Sequence, residues 1–177
     1  MKQLFIYILL LFMTVACKKI DKLTHFYLNY QTRVTIEQTD ISGISFDVRS
    51  SIIPTNSDSI FTAQHTSADH VNQIILKQVS LFIVNTDSIQ PGTIQSIEIY
   101  VLGEGSSDKL IAWTYHITNE MYAPFILSTT TDDLIDYLKK PQIQYRIHGE
   151  LSGDQVFNII LNIETQYFSS ATIVSER

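Results

Sequence analysis

From Leu28 to Ile36 the chain alternates: Leu28, Tyr30, Thr32, Val34 and Ile36 fall on one side, and Asn29, Gln31, Arg33, Thr35 and Glu37 on the other. A period of two is the signature of an extended strand, because successive side chains point to opposite faces of a sheet. The pattern recurs. Phe46 and Val48 point inward on a second strand over residues 44–51. On a third, over 73–84, Val79, Leu81 and Ile83 oppose Leu76, Ser80 and Phe82. Ile97, Ile99 and Val101 mark a fourth over 94–102, and residues 109–115 and 125–129 make a fifth and a sixth. Ile143, Tyr145 and Ile147 give a seventh, and Phe157, Ile159, Leu161 and Ile163 an eighth. About eight short strands separated by turns predict a mainly β fold, an antiparallel β-sandwich.

The connections carry their own signals. Pro54 ends the second strand, and residues 55–70 form the longest irregular stretch, with a helical turn near 67–71 capped by Ser67. Pro91-Gly92 and Ser152-Gly153-Asp154 mark turns. One short helix is predicted over 131–140. Thr131 caps it, Asp132 and Asp133 favour its positive end, and Lys139, Lys140 and Pro141 close it. Leu134, Tyr137 and Leu138 would turn inward over an open end of the sandwich.

The start of the chain is different. Lys2 precedes an apolar run from Leu4, which ends at Thr14-Val15-Ala16-Cys17 and gives way to Lys18-Lys19. A bilayer span needs about twenty apolar residues, and this run is shorter. A positive start, a short apolar core and a small residue before the break are the parts of a secretory signal. Cys17 is the chain's single cysteine, so it cannot serve an internal disulfide. The segment resembles the lipobox of bacterial lipoproteins, although Thr14 stands where that family usually has Leu. The resemblance implies that Cys17 becomes the first mature residue and carries two or three acyl chains, an anchor that several chains make effectively permanent. The expected organisation is a signal peptide over 1–16, a lipidated Cys17 and tether over 17–25, a sandwich domain over 26–170 and a tail over 171–177.

Composition fits a single ordered domain: 45% of residues are hydrophobic and 17% charged. Of the 12 Lys and Arg, four lie in the first 22 residues beside Asp21. The remaining 8 basic and 17 acidic side chains give the body a net charge of −9. Nucleic-acid binding calls for clustered Lys and Arg, so no nucleic-acid partner is expected. The acidity keeps the domain soluble.

No motif points to catalysis. There is no nucleophile elbow, P-loop or dinucleotide fingerprint, and the lone cysteine has no histidine motif beside it. Glu98 and Glu150 could be imagined as a glycosidase pair, but alternation makes Glu98 an ordinary exposed strand residue. His65, Asp69 and His70 read as a polar loop, and Asp132, Asp133 and Asp136 as helix-end carboxylates, because neither set follows a metal-ligand spacing. No cofactor, no metal and no enzymatic activity are expected. Trp113, Tyr115, Tyr122 and Phe125 are concentrated around the link between two strands. Trp113 alternates with Ile111 and is expected to be buried in the core, with Tyr122 over its edge. The alternative is an exposed aromatic platform of Trp113, Tyr115 and Tyr122 that binds a glycan.

Residues 78–140 carry a second resemblance. Leu81-Phe82-Ile83, Ile97-Glu98-Ile99-Tyr100-Val101, Leu110-Ile111-Ala112 and Asp133-Leu134-Ile135-Asp136-Tyr137-Leu138 resemble a group of small Gram-negative envelope lipoproteins. That resemblance implies an immunoglobulin-like sandwich without an assigned activity. The expectation is therefore a lipid-anchored envelope protein, on the outer membrane at its periplasmic or outer face. It would act as a non-enzymatic binding or scaffolding module with a protein partner, or alternatively as a glycan-binding accessory protein.

Overall fold

The computed structural model describes residues 23–42, 44–84, 93–115, 117, 124–153 and 158–174. These form an antiparallel β-sandwich of two sheets. The strands are β1 (Leu23–Ile36), β2 (Ile41–Ser42), β3 (Ser45–Arg49), β4 (Ile53–Pro54), β5 (Val71–Ile83), β6 (Ile94–Gly103), β7 (Lys109–Thr114), β8 (Phe125–Ile126), β9 (Ser128–Thr129), β10 (Gln142–Leu151) and β11 (Ile159–Thr172). Two short helices join them, α1 (Ser57–Ala63) and α2 (Ile135–Leu138). The smaller sheet runs β1-β11-β5-β8. The larger runs β2-β3-β10-β6-β7-β9, with β4 also paired to β10.

The predicted alternation is what closes this sandwich. On β1, Leu28, Tyr30, Thr32, Val34 and Ile36 are buried. So are Phe46 and Val48 on β3, Ile97, Ile99 and Val101 on β6, and Ile143, Tyr145 and Ile147 on β10. β1 and β11 pair residue for residue from Leu23 opposite Thr172 to Ile36 opposite Ile159. That ladder joins the two ends of the described chain. The sandwich therefore starts at Leu23, inside the expected tether, and its last strand runs past residue 170.

Several details depart from expectation. Residues 125–129 are two strands on different sheets: β8 pairs β5 and β9 pairs β7, and buried Leu127 marks the crossing. The irregular stretch holds α1, whose Phe61 is fully buried with its ring edge-on to Phe26 at 5.9 Å. Its last turn ends at His65, which adopts a left-handed φ of 55°. The 3-10 turn at Ala68–His70 has no cap bond from Ser67. α2 is one turn long and not ten residues. The Asp133 carboxylate accepts from the N–H of Ile74 (3.0 Å) and of Ile135 (3.1 Å), so the residues before α2 are tied to β5 instead of continuing a helix. Leu134, Tyr137 and Leu138 are buried as expected. The bonds Leu134 N–H to the Ile74 carbonyl (2.7 Å) and Tyr137 O–H to the Ser107 carbonyl (2.6 Å) clamp α2 between the two sheets.

Gly149 on β10 is dictated by packing. A Cβ there would lie 2.4 Å from the Ser96 carbonyl oxygen and 2.6 Å from the Phe46 ring. Between the sheets sits a buried hydroxyl network. The Tyr145 and Tyr167 hydroxyls are 2.8 Å apart, and Tyr145 reaches the Thr165 hydroxyl at 3.0 Å. The Tyr30 hydroxyl donates to the Thr55 carbonyl at 3.1 Å. Burial pushes the Tyr145 phenol up to about 12 and raises Tyr30 and Tyr167 as well.

Candidate functional site

Outward-facing residues are all that the sandwich leaves for contact with other molecules, and its two outer faces differ. On the smaller sheet, cross-strand register stacks polar side chains in two adjacent rows. Asn29, Gln166 and Gln78 form one, and Gln31, Glu164 and Ser80 the other. A further row flanks them at each end. Tyr27 and Phe168 form the row beyond Asn29, and Arg33, Asn162 and Phe82 the row beyond Gln31. Over the two rows lies a hollow of about 490 Å³, with Tyr30 and Thr165 behind its floor. That volume falls in the range of small-molecule sites, about 300–1,000 Å³.

The floor is held by cross-strand and same-strand hydrogen bonds. Gln166 Nε2 donates to Asn29 Oδ1 and Gln31 Nε2 to Asn162 Oδ1, each at 3.2 Å, and Gln78 Nε2 donates to Ser80 Oγ at 2.9 Å. Each bond uses one end of an amide that has both donor and acceptor atoms. The oxygens of Gln31, Gln78 and Gln166 and the nitrogen of Asn29 have no partner among the described residues. Glu164 is the one carboxylate lining the hollow. At the Tyr27 end the rings are fixed. Phe168 stacks on His25 at 5.3 Å, takes the Lys77 ammonium 5.3 Å from its centroid, and meets Tyr27 edge-on at 5.8 Å. Tyr27 is 54% exposed.

A bulge shapes this end of β5. Gln78 pairs Gln166 and Leu76 pairs Tyr167, leaving Lys77 as the extra residue. Leu76 is consequently buried on the same side as Val79, where strict alternation had placed it outward.

The larger sheet carries charge and aromatic rings. Trp113 is half-buried, not in the core. The cause is again a bulge: Tyr100 pairs Leu110 while Ile99 pairs Ala112, so Ile111 is the extra residue and the alternation flips after it. Ile111 and Ala112 are both buried. Trp113 moves to the outer face opposite Glu98, and Tyr115 follows two residues on. Trp113 and Tyr115 are thus brought to one face, and the third expected aromatic, Tyr122, lies outside the described residues. Cys17, the Pro91-Gly92 turn, Asp154 and Phe157 lie outside them as well.

Glu98 joins these rings. Tyr100 O–H donates to one of its oxygens at 2.7 Å and Tyr115 O–H to the other at 2.9 Å. These bonds hold Tyr100 up at about 12 and raise Tyr115. Next to them Arg146 grips Asp47 with two nitrogens, reaches Asp108 at 3.3 Å and lies 5.4 Å from the Tyr100 ring centroid. The Arg146 hydrogen bonds hold the Asp47 carboxyl below its usual range. Glu150 sits on the same face, opposite Ser96 and one row from Glu98.

The two metal candidates do not assemble. Asp132 pairs with Lys109 at 3.0 Å, Asp133 ties α2 to β5, and Ser67 Oγ lies 2.8 Å from His70 Nδ1. Among the described residues no three His, Cys, Asp or Glu side chains are grouped to hold a metal ion. No described helix is long and apolar enough to cross a membrane.

The residues of the amide hollow were not singled out from the sequence. A signal existed: Asn29-x-Gln31 and Glu164-x-Gln166 alternate outward on their strands. Nothing local, however, puts β1 beside β11.

No protein-family model matches the chain, and no curated protein matches it. Among solved structures, it aligns with the 60-mer BFDV capsid protein at 8% identity and a TM-score of 0.47, covering 89% of this chain and 97% of that one. Infectious bursal disease virus, Gx strain, aligns at 13% identity and 0.39, over 86% of this chain and 32% of that one. FLHE aligns at 8% and 0.32, over 85% and 97%.

Proposed function

We propose that the chain is a lipid-anchored, non-enzymatic binding module of the bacterial cell envelope, attached to the outer membrane through acylated Cys17. The observation that carries this reading is the single cysteine placed between an apolar run and Lys18-Lys19, six residues ahead of the first strand at Leu23. Six residues reach about 20 Å at full extension, so the sandwich stays close to the bilayer. The acidic body does not lie flat on anionic headgroups. A binding role is supported by the open hollow and its unused hydrogen-bonding atoms. Glycoside hydrolysis with two carboxylates is disfavoured there, because Glu164 stands without a second one in the lining.

Growth of the source organism with a labelled fatty acid tests the anchor. The parent should carry label and fractionate with the outer membrane, and Cys17→Ser should accumulate as an unlabelled precursor. Normal processing and labelling of Cys17→Ser would overturn the reading.

A further inference from the structure

We propose that the hollow on the outer face of the smaller sheet binds a neutral glycan. The inference builds on the binding-module reading and is independent of the anchor. The floor offers planar amides whose free ends are acceptors at Gln31, Gln78 and Gln166 and a donor at Asn29, next to the Ser80 hydroxyl. Such a mixed array matches a ligand whose every polar group both donates and accepts, as sugar hydroxyls do. An apolar ligand would strip water from these amides without replacing its hydrogen bonds.

Charge narrows the class further. Phosphate, sulfate and uronate ligands call for a cationic floor, and here the floor carries the Glu164 carboxylate. Lys77 is engaged by the Phe168 ring, and Arg33 stands at the far row. A peptide adding to the sheet would need an open strand edge. The hollow instead lies over β11, which is paired on both sides.

Tyr27 completes the match. It lies two residues from Asn29 on the same face, about 7 Å along the strand, is 54% exposed, and is held edge-on by Phe168. An aromatic ring at the end of a row of amides suits a sugar ring, which has an apolar C–H face and polar edges. The amides are already held by hydrogen bonds across the ladder or, for Gln78, along its own strand, so little ordering cost remains on binding.

Affinity electrophoresis tests this with the full chain in detergent micelles, in native gels cast with dextran, mannan, xylan, glucomannan, laminarin or polygalacturonate. At least one neutral polysaccharide should retard the protein, and polygalacturonate should not. Gln78→Ala with Gln166→Ala should weaken the apparent affinity about tenfold, and Tyr27→Ala should weaken it too. Trp113→Ala should leave it unchanged. Gln31→Ala is the second variant if the double one melts early. The proposal is overturned if no neutral polysaccharide retards the parent, if polygalacturonate alone does, or if retardation survives the amide variants and disappears with Trp113→Ala. A chain that is labelled and anchored yet ignores every neutral glycan refutes this inference and leaves the anchor reading standing.

Discussion

The two outer faces of the sandwich are both polar, but their polar groups are used differently. On the larger sheet most of them serve each other, the Nδ1 of His148 excepted: Arg146 binds Asp47 and Asp108, and Glu98 takes both of its phenols. On the smaller sheet the amides of Asn29, Gln31, Gln78 and Gln166 each have one end bonded and the other free, over a hollow, while Asn162 beside them uses both of its ends. A face whose groups satisfy one another contributes to stability and offers little to a ligand. A face with unused, preorientated groups contributes little to stability and is ready to bind. The difference predicts where mutations will act.

The largest effect should come from beneath the larger sheet. Gly149→Ala pushes a methyl into the Ser96 carbonyl and the Phe46 ring, and should cost about 3 kcal/mol or more. Because both sheets share one core, thermal unfolding should stay a single transition at lower temperature. If the larger sheet melted first, the two faces would belong to separate units.

Trp113→Ala comes next. A buried tryptophan would cost about 3–5 kcal/mol. Half-buried on the outer face, Trp113 should cost about 2 kcal/mol, measured by urea unfolding. A value at the upper end would mean that the bulge at Ile111 does not turn it outward.

The third test reaches the core between the faces. Tyr145 titrates near 10 unfolded and about 12 folded. Above pH 10 the unfolded chain therefore loses a proton that the native state keeps, and stability falls as pH rises. At pH 11 this amounts to roughly 1.4 kcal/mol from Tyr145. Denaturant midpoints across pH 9–11 should show the fall, and Tyr145→Phe should make it shallower without removing it, because Tyr30 and Tyr167 are raised by burial as well. A midpoint that rises over that range would contradict the buried network.

The smallest effects separate the faces most cleanly. Arg146→Ala leaves Asp47 and Asp108 without their cation. It should cost about 1 kcal/mol, since the groups are partly exposed and screened. Gln78→Ala with Gln166→Ala should stay within about 0.5 kcal/mol. If the amide pair proved the costlier change in a melting comparison, the contrast between a largely self-paired face and an open one would be wrong.

Much of the architecture is legible in the chain. The strands from Leu28, Ile97 and Ile143 follow their alternation, and Leu134, Tyr137 and Leu138 are buried as that reading requires. Strict alternation fails where an extra residue enters a strand. The bulges at Lys77 and Ile111 reverse the face of Leu76 and Trp113, and a bulge is set by the partner strand's register, which local pattern does not contain. The split of residues 125–129 between two sheets has the same origin. The short α2 reflects a tertiary bond from Asp133 to β5 that overrides a plausible ten-residue helix.

The candidate site divides in the same way. Trp113 and Tyr115 stood out because aromatic side chains are conspicuous in any sequence. The amide hollow did not, because Asn29, Gln78 and Gln166 are ordinary outward residues until three distant strands are laid side by side. Sequence alone determined the strand-rich sandwich, its buried face and the position of Cys17, because period and residue chemistry are local properties. Only the tertiary structure decided which outward residues meet, because pairing β1 with β11 joins groups more than 120 residues apart. Whether a polar group is spent on a neighbour or left free depends on that pairing.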